Sequence, residues 1–202
     1  MLKYLRAIIN IVVNYKFYFV PILTFELYFY IFHNKNYNKF KYLDSSFLSD
    51  SIPCPYFFLK KIEKFMQKNK IDSICDLGSG YGKILYYFGK IKKKEIHGVE
   101  IEKEIYSSSQ DLICNNIRIF NENILKFNLN QIKYDAFILN DPLKSKTDLL
   151  KLIVNIKTSY KDVIIIFINL DLQKQELVQK ELNIIENFKV SKNKNIFFCK
   201  IK

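Results

Sequence analysis

From residue 71 to the end of the chain, short apolar runs alternate with stretches of helical character. This alternation predicts a mainly parallel sheet with helices on both faces, because each parallel strand needs a long crossover connection. The last two apolar runs, residues 184–190 and 195–200, are separated only by the residues SKNK. They predict an antiparallel pair at one edge. The sequence therefore predicts an α/β fold in which a hairpin closes a parallel sheet.

The other predicted strands are short and apolar. They lie at residues 71–77, 95–100, 117–120, 134–140 and 163–169. Helices are predicted at 81–91 and 102–115, between the first three of these strands. A further helix is predicted after Pro53 and Pro55, where a stripe at helical spacing should face the core; its members are Phe57, Phe58, Ile62, Phe65 and Met66.

Three of the five glycines in the chain, Gly78, Gly80 and Gly82, directly follow the first predicted strand. Glycine accepts positive φ and allows a ligand to approach the backbone. The helix that follows offers free N–H groups to a polar ligand. Dinucleotide sites have G-x-G-x-x-G, whereas here the third glycine comes one residue earlier. The loop predicts a ligand site without selecting the cofactor.

Glu100 ends the second predicted strand, 24 residues after Asp76. A carboxylate at that position can accept hydrogen bonds from both hydroxyls of a ribose. The glycine spacing and the lack of a second catalytic domain disfavour an NAD-dependent enzyme. Glu100 is therefore a candidate ligand of a ribose; the alternative is a solvated acid in a loop.

With these motifs, residues 53–202 resemble the Rossmann-like (class I) S-adenosylmethionine-dependent methyltransferases. The resemblance rests on DLGSGYGK, GVEIE, FNENILKF and YDAFILNDPL. It implies that Asp76 and the glycine loop hold the methionine end, that Glu100 binds the ribose, and that Asn123 replaces a frequent Asp beside the adenine. Two isoleucines would sandwich the adenine ring. The implied cofactor-binding residues are Asp76, Gly78, Ser79, Gly80, Gly82, Glu100, Ile101, Asn123 and Ile124.

Asn140 and Asp141, in the sequence NDPL, are the predicted catalytic residues because their polar groups can orient an amine. The motif is similar to the N/D-P-P-Y/F of amino methyltransferases, but it lacks the second proline and the aromatic residue. Leu143 stands where a base would stack, which disfavours a flipped nucleobase as substrate. The alternative is that NDPL forms only a turn between a strand and a helix.

The chain carries 32 Lys and Arg against 20 Asp and Glu, a formal charge of +12. This surplus fits an anionic partner, but the abundance of Lys, Asn and Ile also fits an AT-rich genome. Nucleic acid is thus the less favoured partner. The four cysteines are scattered without C-x-x-C, which predicts a reducing, cytoplasmic setting and no clustered zinc site.

Residues 1–42 differ from the rest and are predicted to form a hydrophobic arm and linker ahead of a domain at 43–202. Residues 2–14 predict an amphipathic helix. Residues 17–32 are apolar and aromatic apart from Glu26, whose charge disfavours a full membrane span. Two interpretations remain: residues 2–32 lie peripherally on the inner face of the membrane, or they pack on the domain or on a second subunit. The polar residues 34–52 are interpreted as a linker.

The expected function is methyl transfer from S-adenosylmethionine to a protein amine or a small molecule. A hydrophobic segment ahead of a DLGSG loop also resembles, loosely, membrane-anchored protein-lysine methyltransferases. The first alternative is an RNA or DNA methyltransferase, which predicts a basic patch around the pocket. The second is a non-catalytic cofactor-binding or scaffold module, which predicts a blocked channel beside NDPL.

Overall fold

A computed structural model of the chain describes residues 12–13, 15–32, 39, 41, 43, 48–91 and 95–202. The predicted helix at 2–14 lies almost wholly outside these residues, as does much of the predicted linker at 34–52. Both therefore stay predictions over the parts that are not described.

The central sheet has seven strands, and all of the predicted strands contribute to it. They are β1 (Ser73–Leu77), β2 (Glu95–Val99), β3 (Ile117–Phe120), β4 (Ala136–Leu139), β5 (Ile164–Ile168), β6 (Leu182–Ser191) and β7 (Lys194–Ile201). Their order is β3-β2-β1-β4-β5-β7-β6. The first five pair in parallel, and β7 is antiparallel to both β5 and β6. The predicted Rossmann-like fold with an antiparallel edge hairpin is confirmed.

The strand order reverses direction between β1 and β4, because the chain runs outward through β2 and β3 and then returns to the other side of β1. In open α/β sheets, ligands bind at such a switch point, outside the carboxyl ends of the strands. The topology therefore predicts a ligand site at the loops that follow β1, β2 and β4.

The edge strand β6 is irregular. Its register with β7 shifts between Ile184 and Glu186 and again between Lys189 and Ser191. Such shifts bend a strand and increase its local twist.

Six α-helices lie within the described part of the chain. They are α1 (Phe19–Phe32), α2 (Tyr56–Lys68), α3 (Lys83–Lys90), α4 (Lys103–Ser108), α5 (Lys146–Ser159) and α6 (Leu172–Glu181). The helix predicted at 102–115 is shorter than expected, since α4 ends at Ser108 and a 3-10 turn at Gln110–Leu112 follows. That turn lays Leu112 against Gly82, where a Cβ would meet the Leu112 Cδ1 atom at 2.2 Å. The predicted continuous helix is thus interrupted, and the turn that follows it packs against the glycine loop.

The core has two layers, one on each face of the sheet. Ile74 and Ile138 belong to the layer that α1, α2 and α3 cover. Cys75 and Leu139, their neighbours along the same strands, belong to the layer under α5 and α6. This alternation follows from the two-residue period of a strand. Helices cover both faces, as the sequence predicted.

Helix α1 packs on the domain through one face only. Ile22 is 1% exposed and belongs to the core, while the Phe29 ring stacks on Tyr56 at a centroid distance of 4.0 Å. The opposite face exposes large apolar side chains, among them Tyr30 at 67%. A packed arm was one of the two interpretations of the sequence. Membrane contact and a domain boundary at residue 42 stay predictions.

Across the described ranges, none of the helices combines the length and the apolar character that crossing a bilayer requires.

Candidate functional site

An open cleft lies at the switch point of the sheet. Eight of the eleven predicted site residues line it: Gly78, Ser79, Gly80, Glu100, Ile101, Asn123, Ile124 and Asn140. The other three, Asp76, Gly82 and Asp141, are absent from the lining. The loops after β1, β2 and β4 thus meet in one concave site.

The three glycines of the loop all have positive φ, at 90° for Gly78, 55° for Gly80 and 82° for Gly82. Residues with a Cβ rarely adopt this region. Gly78 is further restricted, because a Cβ there would lie 2.4 Å from the Cβ of Pro142. The glycine loop after β1 and the NDPL turn after β4 therefore touch at the backbone of Gly78.

Glu100 bridges the end of β2 to the glycine loop. Its Oε2 accepts a hydrogen bond from Gly80 N at 2.8 Å, and its Oε1 accepts one from Glu102 N at 2.8 Å. Burial raises the pKa of Glu100, although these backbone N–H groups act in the opposite direction. A loop amide that would otherwise face an anionic ligand is thus already bound to a carboxylate.

Asp76 lies beneath the same loop at the end of β1 and is 0% exposed. Neither of its carboxylate oxygens has a hydrogen-bond partner among the described residues, and the same holds for Ser79 Oγ. Burial raises the pKa of Asp76 well above its usual range, and the nearby charge of Glu100 raises it further. A buried carboxylate without a partner is costly, and it points to a missing cationic or hydrogen-bond-donating group.

The residues predicted to hold an adenine, Ile101, Asn123 and Ile124, line the same cleft as Glu100. Ile124 is buried, whereas Ile101 and Asn123 are half-buried. The Oδ1 atom of Asn123 accepts a hydrogen bond from Leu125 N at 2.9 Å. Asn121, two residues earlier, donates from Nδ2 to the carbonyl of Glu100 at 2.8 Å. Asn123 therefore shapes its own turn, and one lone pair of its amide oxygen is already used.

The predicted catalytic residues are both tied to neighbouring protein groups. Asn140 donates from Nδ2 to the Ile52 carbonyl at 2.8 Å, and its Oδ1 accepts from Asn169 Nδ2 at 2.9 Å. Asp141 accepts from the buried ammonium of Lys174 at 2.6 Å. Asp141 and Asn169 have positive φ, at 45° and 61°. The NDPL turn is a strained connection braced by side-chain contacts.

One wall of the cleft comes from residues 48–54, part of which the sequence predicted to be a linker. Ser49 N donates to the Pro142 carbonyl at 3.2 Å, and Leu48 forms an isolated bridge with Leu143. Together with the bond from Asn140 to Ile52, these contacts fasten the wall to the NDPL turn. The partners are some ninety residues apart, and no local pattern in the sequence indicated this pairing.

A second feature that sequence reasoning missed is an ion pair below the cleft. Lys83, the first residue of α3, directly follows the glycine loop and is 4% exposed. Its Nζ lies 2.9 Å and 3.1 Å from the two carboxylate oxygens of Glu26 on α1. It also lies 3.9 Å from the centre of the Tyr56 ring. The arm helix therefore contacts the residue that anchors the glycine loop.

The charged residues that line the cleft are balanced in sign. They are Lys39, Asp50, Lys83 and Glu100. Since Lys83 is paired with Glu26, the described lining does not form a basic patch.

No family model and no curated protein sequence matches the chain. Solved structures do match its fold. One is the N-methyltransferase NodS from Bradyrhizobium japonicum WM9, with 10% identity, a TM-score of 0.59, and coverage of 72% of this chain and 94% of that one. Another is a SAM-dependent methyltransferase from Aquifex aeolicus, with 13% identity, a TM-score of 0.57, and coverage of 74% and 100%.

A third is the magnesium protoporphyrin IX methyltransferase ChlM from Synechocystis PCC 6803, with bound SAM. Its identity is 11%, its TM-score is 0.55, and the match covers 71% of this chain and 77% of that one. Each of the three names describes a methyltransferase, and only that of ChlM gives a substrate. The chain therefore has the fold of the methyltransferases that use S-adenosylmethionine.

Proposed function

We propose that the chain is a methyltransferase that uses S-adenosylmethionine. The observation that carries this proposal is the pair of carboxylates, Asp76 and Glu100, at the glycine loop. Within the described part of the chain, the buried carboxyl group of Asp76 has no hydrogen-bond partner, and Glu100 already accepts from the amide of Gly80. S-adenosylmethionine brings an ammonium and a sulfonium against a single carboxylate, and this net positive charge would favour the ionised form of the two buried carboxyl groups.

The same two residues disfavour a dinucleotide. A pyrophosphate needs free N–H groups at the loop and a positive field. Here a carboxylate binds one of those N–H groups, and a second lies directly beneath. Both would repel a phosphate.

The chain fits the cofactor in the manner that the resemblance implies. Asp76 and the glycine loop would hold the methionine end, Glu100 the ribose, and Asn123 with Ile101 and Ile124 the adenine. When bound, S-adenosylmethionine supplies an electrophilic methyl group whose sulfur leaves without charge. The protein's own contribution is to orient the cofactor and the acceptor and to exclude water.

For the acceptor, we propose a protein amine or a small molecule rather than RNA or DNA. The balanced charges of the cleft lining support this choice, because a nucleic-acid substrate favours a basic surface around the site. Leu143 supports it as well, since it is fully buried and cannot stack on a flipped base.

A non-catalytic cofactor-binding module is the second candidate. The contacts of Asn140 and Asp141 with Ile52, Asn169 and Lys174 favour it, because they engage the groups that would orient an acceptor. The two candidates differ in one measurable respect. Both bind the cofactor, and only the enzyme transfers the methyl group.

Isothermal titration calorimetry on the full chain tests the cofactor. We expect binding of S-adenosylmethionine and of its demethylated product, and none of NAD. Replacement of Glu100 by Ala should weaken binding by about 1–3 kcal/mol, because two ribose hydroxyls lose their acceptor. The proposal fails if NAD binds and neither form of the methyl donor does. Incubation of cell extract with radiolabelled cofactor then identifies the acceptor, or its absence, by the fraction that takes the label.

We also propose that the outward face of α1 lies on an anionic lipid surface. Its exposed side chains are uncharged and include Leu27, Tyr30 and Phe32. Glu26 is the only acidic residue in positions 1–42, and it is turned inward to Lys83. Basic residues accompany this face in the sequence at Lys3, Arg6, Lys16 and Lys35. Each basic residue near such a surface contributes about 1 kcal/mol.

Sedimentation with vesicles of phosphatidylserine and phosphatidylcholine tests this contact. The full chain should bind them, and high salt should weaken the binding. Tyr30→Glu should reduce it several-fold, whereas Val154→Glu, at an exposed apolar position on α5, should not. If the chain ignores the vesicles and light scattering gives a dimer that Tyr30→Glu dissociates, the face is instead an interface between two copies.

A further inference from the structure

Glu26 lies on the hydrophobic arm, 57 residues before Lys83 in the sequence. The two side chains are nevertheless in contact, through two hydrogen bonds. Both carboxylate oxygens lie within hydrogen-bond distance of the Lys83 ammonium, at 2.9 Å and 3.1 Å. The lysine side chain is 5% exposed and that of the glutamate 21%. A pair so well shielded from water is screened much less than a surface ion pair.

The carboxylate of Glu26 also binds the start of α2. Its Oε1 accepts a hydrogen bond from Tyr56 N at 2.7 Å. Tyr56 is the first residue of that helix, and its N-cap, Pro55, provides no side-chain cap. Glu26 therefore supplies an acceptor to one of the N–H groups that a helix start leaves unpaired, and its charge is favourable there.

The backbone of Lys83 is joined directly to the glycine loop. It is the first residue of α3, and Gly82, its N-cap, has a φ of 82°. Gly80 in the same loop donates to Glu100, and Lys83 itself lines the cleft. A movement of Lys83 therefore changes the position of the loop that faces the cleft.

We propose that Glu26 is a positioning residue for the glycine loop and that it acts through Lys83. The hydrophobic arm is then part of the cofactor site and not only an attachment to it. The link to the cofactor rests on the proposed function, whereas the link to the loop does not.

Two measurements on the full chain separate these links. The first is hydrogen exchange of the backbone amides of residues 78–83 without ligand, with β1 as an internal reference. The second is the affinity for S-adenosylmethionine by calorimetry. Glu26→Gln should accelerate exchange in the loop but not in β1, and should weaken the affinity roughly tenfold. Glu176→Gln, at an exposed position on α6, is the matched control and should change neither quantity.

A double-mutant cycle tests whether Lys83 transmits the effect. In a Lys83→Met background, Glu26→Gln should add little to the loss, because residues that act as a pair are not additive. This double variant also removes both buried charges, so it keeps a folded protein if Glu26→Gln alone unfolds.

The proposal is wrong if loop exchange in Glu26→Gln equals that of the unmodified protein. It is also wrong if the Glu26 and Lys83 effects simply add. Failure of the unmodified protein to bind the cofactor would overturn the proposed function, and the exchange measurement would still decide the role of Glu26.

Discussion

The two halves of the cleft use their polar side chains in different ways. On the β1–β2 side, Asp76 has no hydrogen-bond partner among the described residues, and the carboxylate of Glu100 accepts from the backbone amides of Gly80 and Glu102. On the β4–β5 side, Asn140 and Asp141 are bound to other side chains and to the wall at Ile52. The polar groups of the first half can therefore still bind a ligand. Those of the second half are engaged with other protein groups and stabilise the NDPL turn.

The two halves also differ in which residue types adopt positive φ angles. The positive φ angles after β1 fall on glycines, which tolerate them without cost. Those after β4 and β5 fall on Asp141 and Asn169, where a Cβ makes the conformation less favourable. We infer that the ion pair to Lys174 and the Asn140–Asn169 bond stabilise a strained turn. A side chain in such a turn has a structural role that is independent of catalysis.

The largest effect is expected at Gly78, where the two halves of the cleft touch. Gly78→Ala places a Cβ 2.4 Å from Pro142 Cβ, in a residue with φ of 90°. Because neither backbone can yield easily, we expect the free energy of unfolding to fall by about 3 kcal/mol and cofactor binding to be lost. Urea denaturation and calorimetry measure the two effects.

Gly89→Ala is the control for this variant. Its Cβ would meet only the flexible end of Ile117 at 2.6 Å, and the position is helical, where alanine is favoured. If the two variants are equally stable, the close approach of the two halves is not a structural requirement.

Asp76→Asn should affect stability and binding in opposite directions. Burial raises the pKa of Asp76 in the folded chain. The stability linked to its proton is therefore present below the unfolded pKa and lost as pH rises toward the folded pKa. Without cofactor, the variant should gain about 1 kcal/mol over the unmodified protein as pH rises from about 4 to 8. Its affinity for S-adenosylmethionine should fall about tenfold.

Thermal unfolding across this pH range, together with calorimetry, checks both directions. Asp162→Asn, on an exposed carboxylate, should show neither effect. A stability difference that does not vary with pH would mean that Asp76 is ionised at no cost, and the argument for a cationic ligand would fail.

The smallest effect is expected at Asp141. Asp141→Asn removes an ion pair with Lys174, which keeps Asp171 as a partner at 3.3 Å. We expect a loss of about 1 kcal/mol of stability and cofactor affinity unchanged within about twofold. If stability is instead unchanged while methyl transfer is abolished, Asp141 is catalytic, as the sequence predicted, and the contrast between the two halves disappears.

The sequence predicted the strands and the glycine loop because those features depend on local patterns. Apolar runs of strand length identify β1 to β7, and the sequence DLGSGYG predicts the turn after β1 from glycine alone. The resemblance to the class I methyltransferases implied that the glycine loop after β1, Glu100 after β2 and Asn123 after β3 serve one cofactor, and all three line one cleft.

Contacts between distant residues could not be predicted in this way. Ile52 with Asn140, Glu26 with Lys83 and Asp141 with Lys174 each join segments whose separation in space depends on the whole fold. Nothing in residues 48–52 distinguishes a cleft wall from a polar linker. The roles of Asn140 and Asp141 were inferred from a motif, and their contacts became visible only with the neighbouring elements in place.

The irregular register of β6 bears on how the protein behaves at high concentration. A regular strand at the edge of a sheet offers unpaired N–H and C=O groups to any passing strand, and this is a common route to aggregation. Two register shifts within ten residues, with Glu186 and Lys189 beside them, interrupt that template. The edge that carries the hairpin is thereby protected against the addition of a further strand.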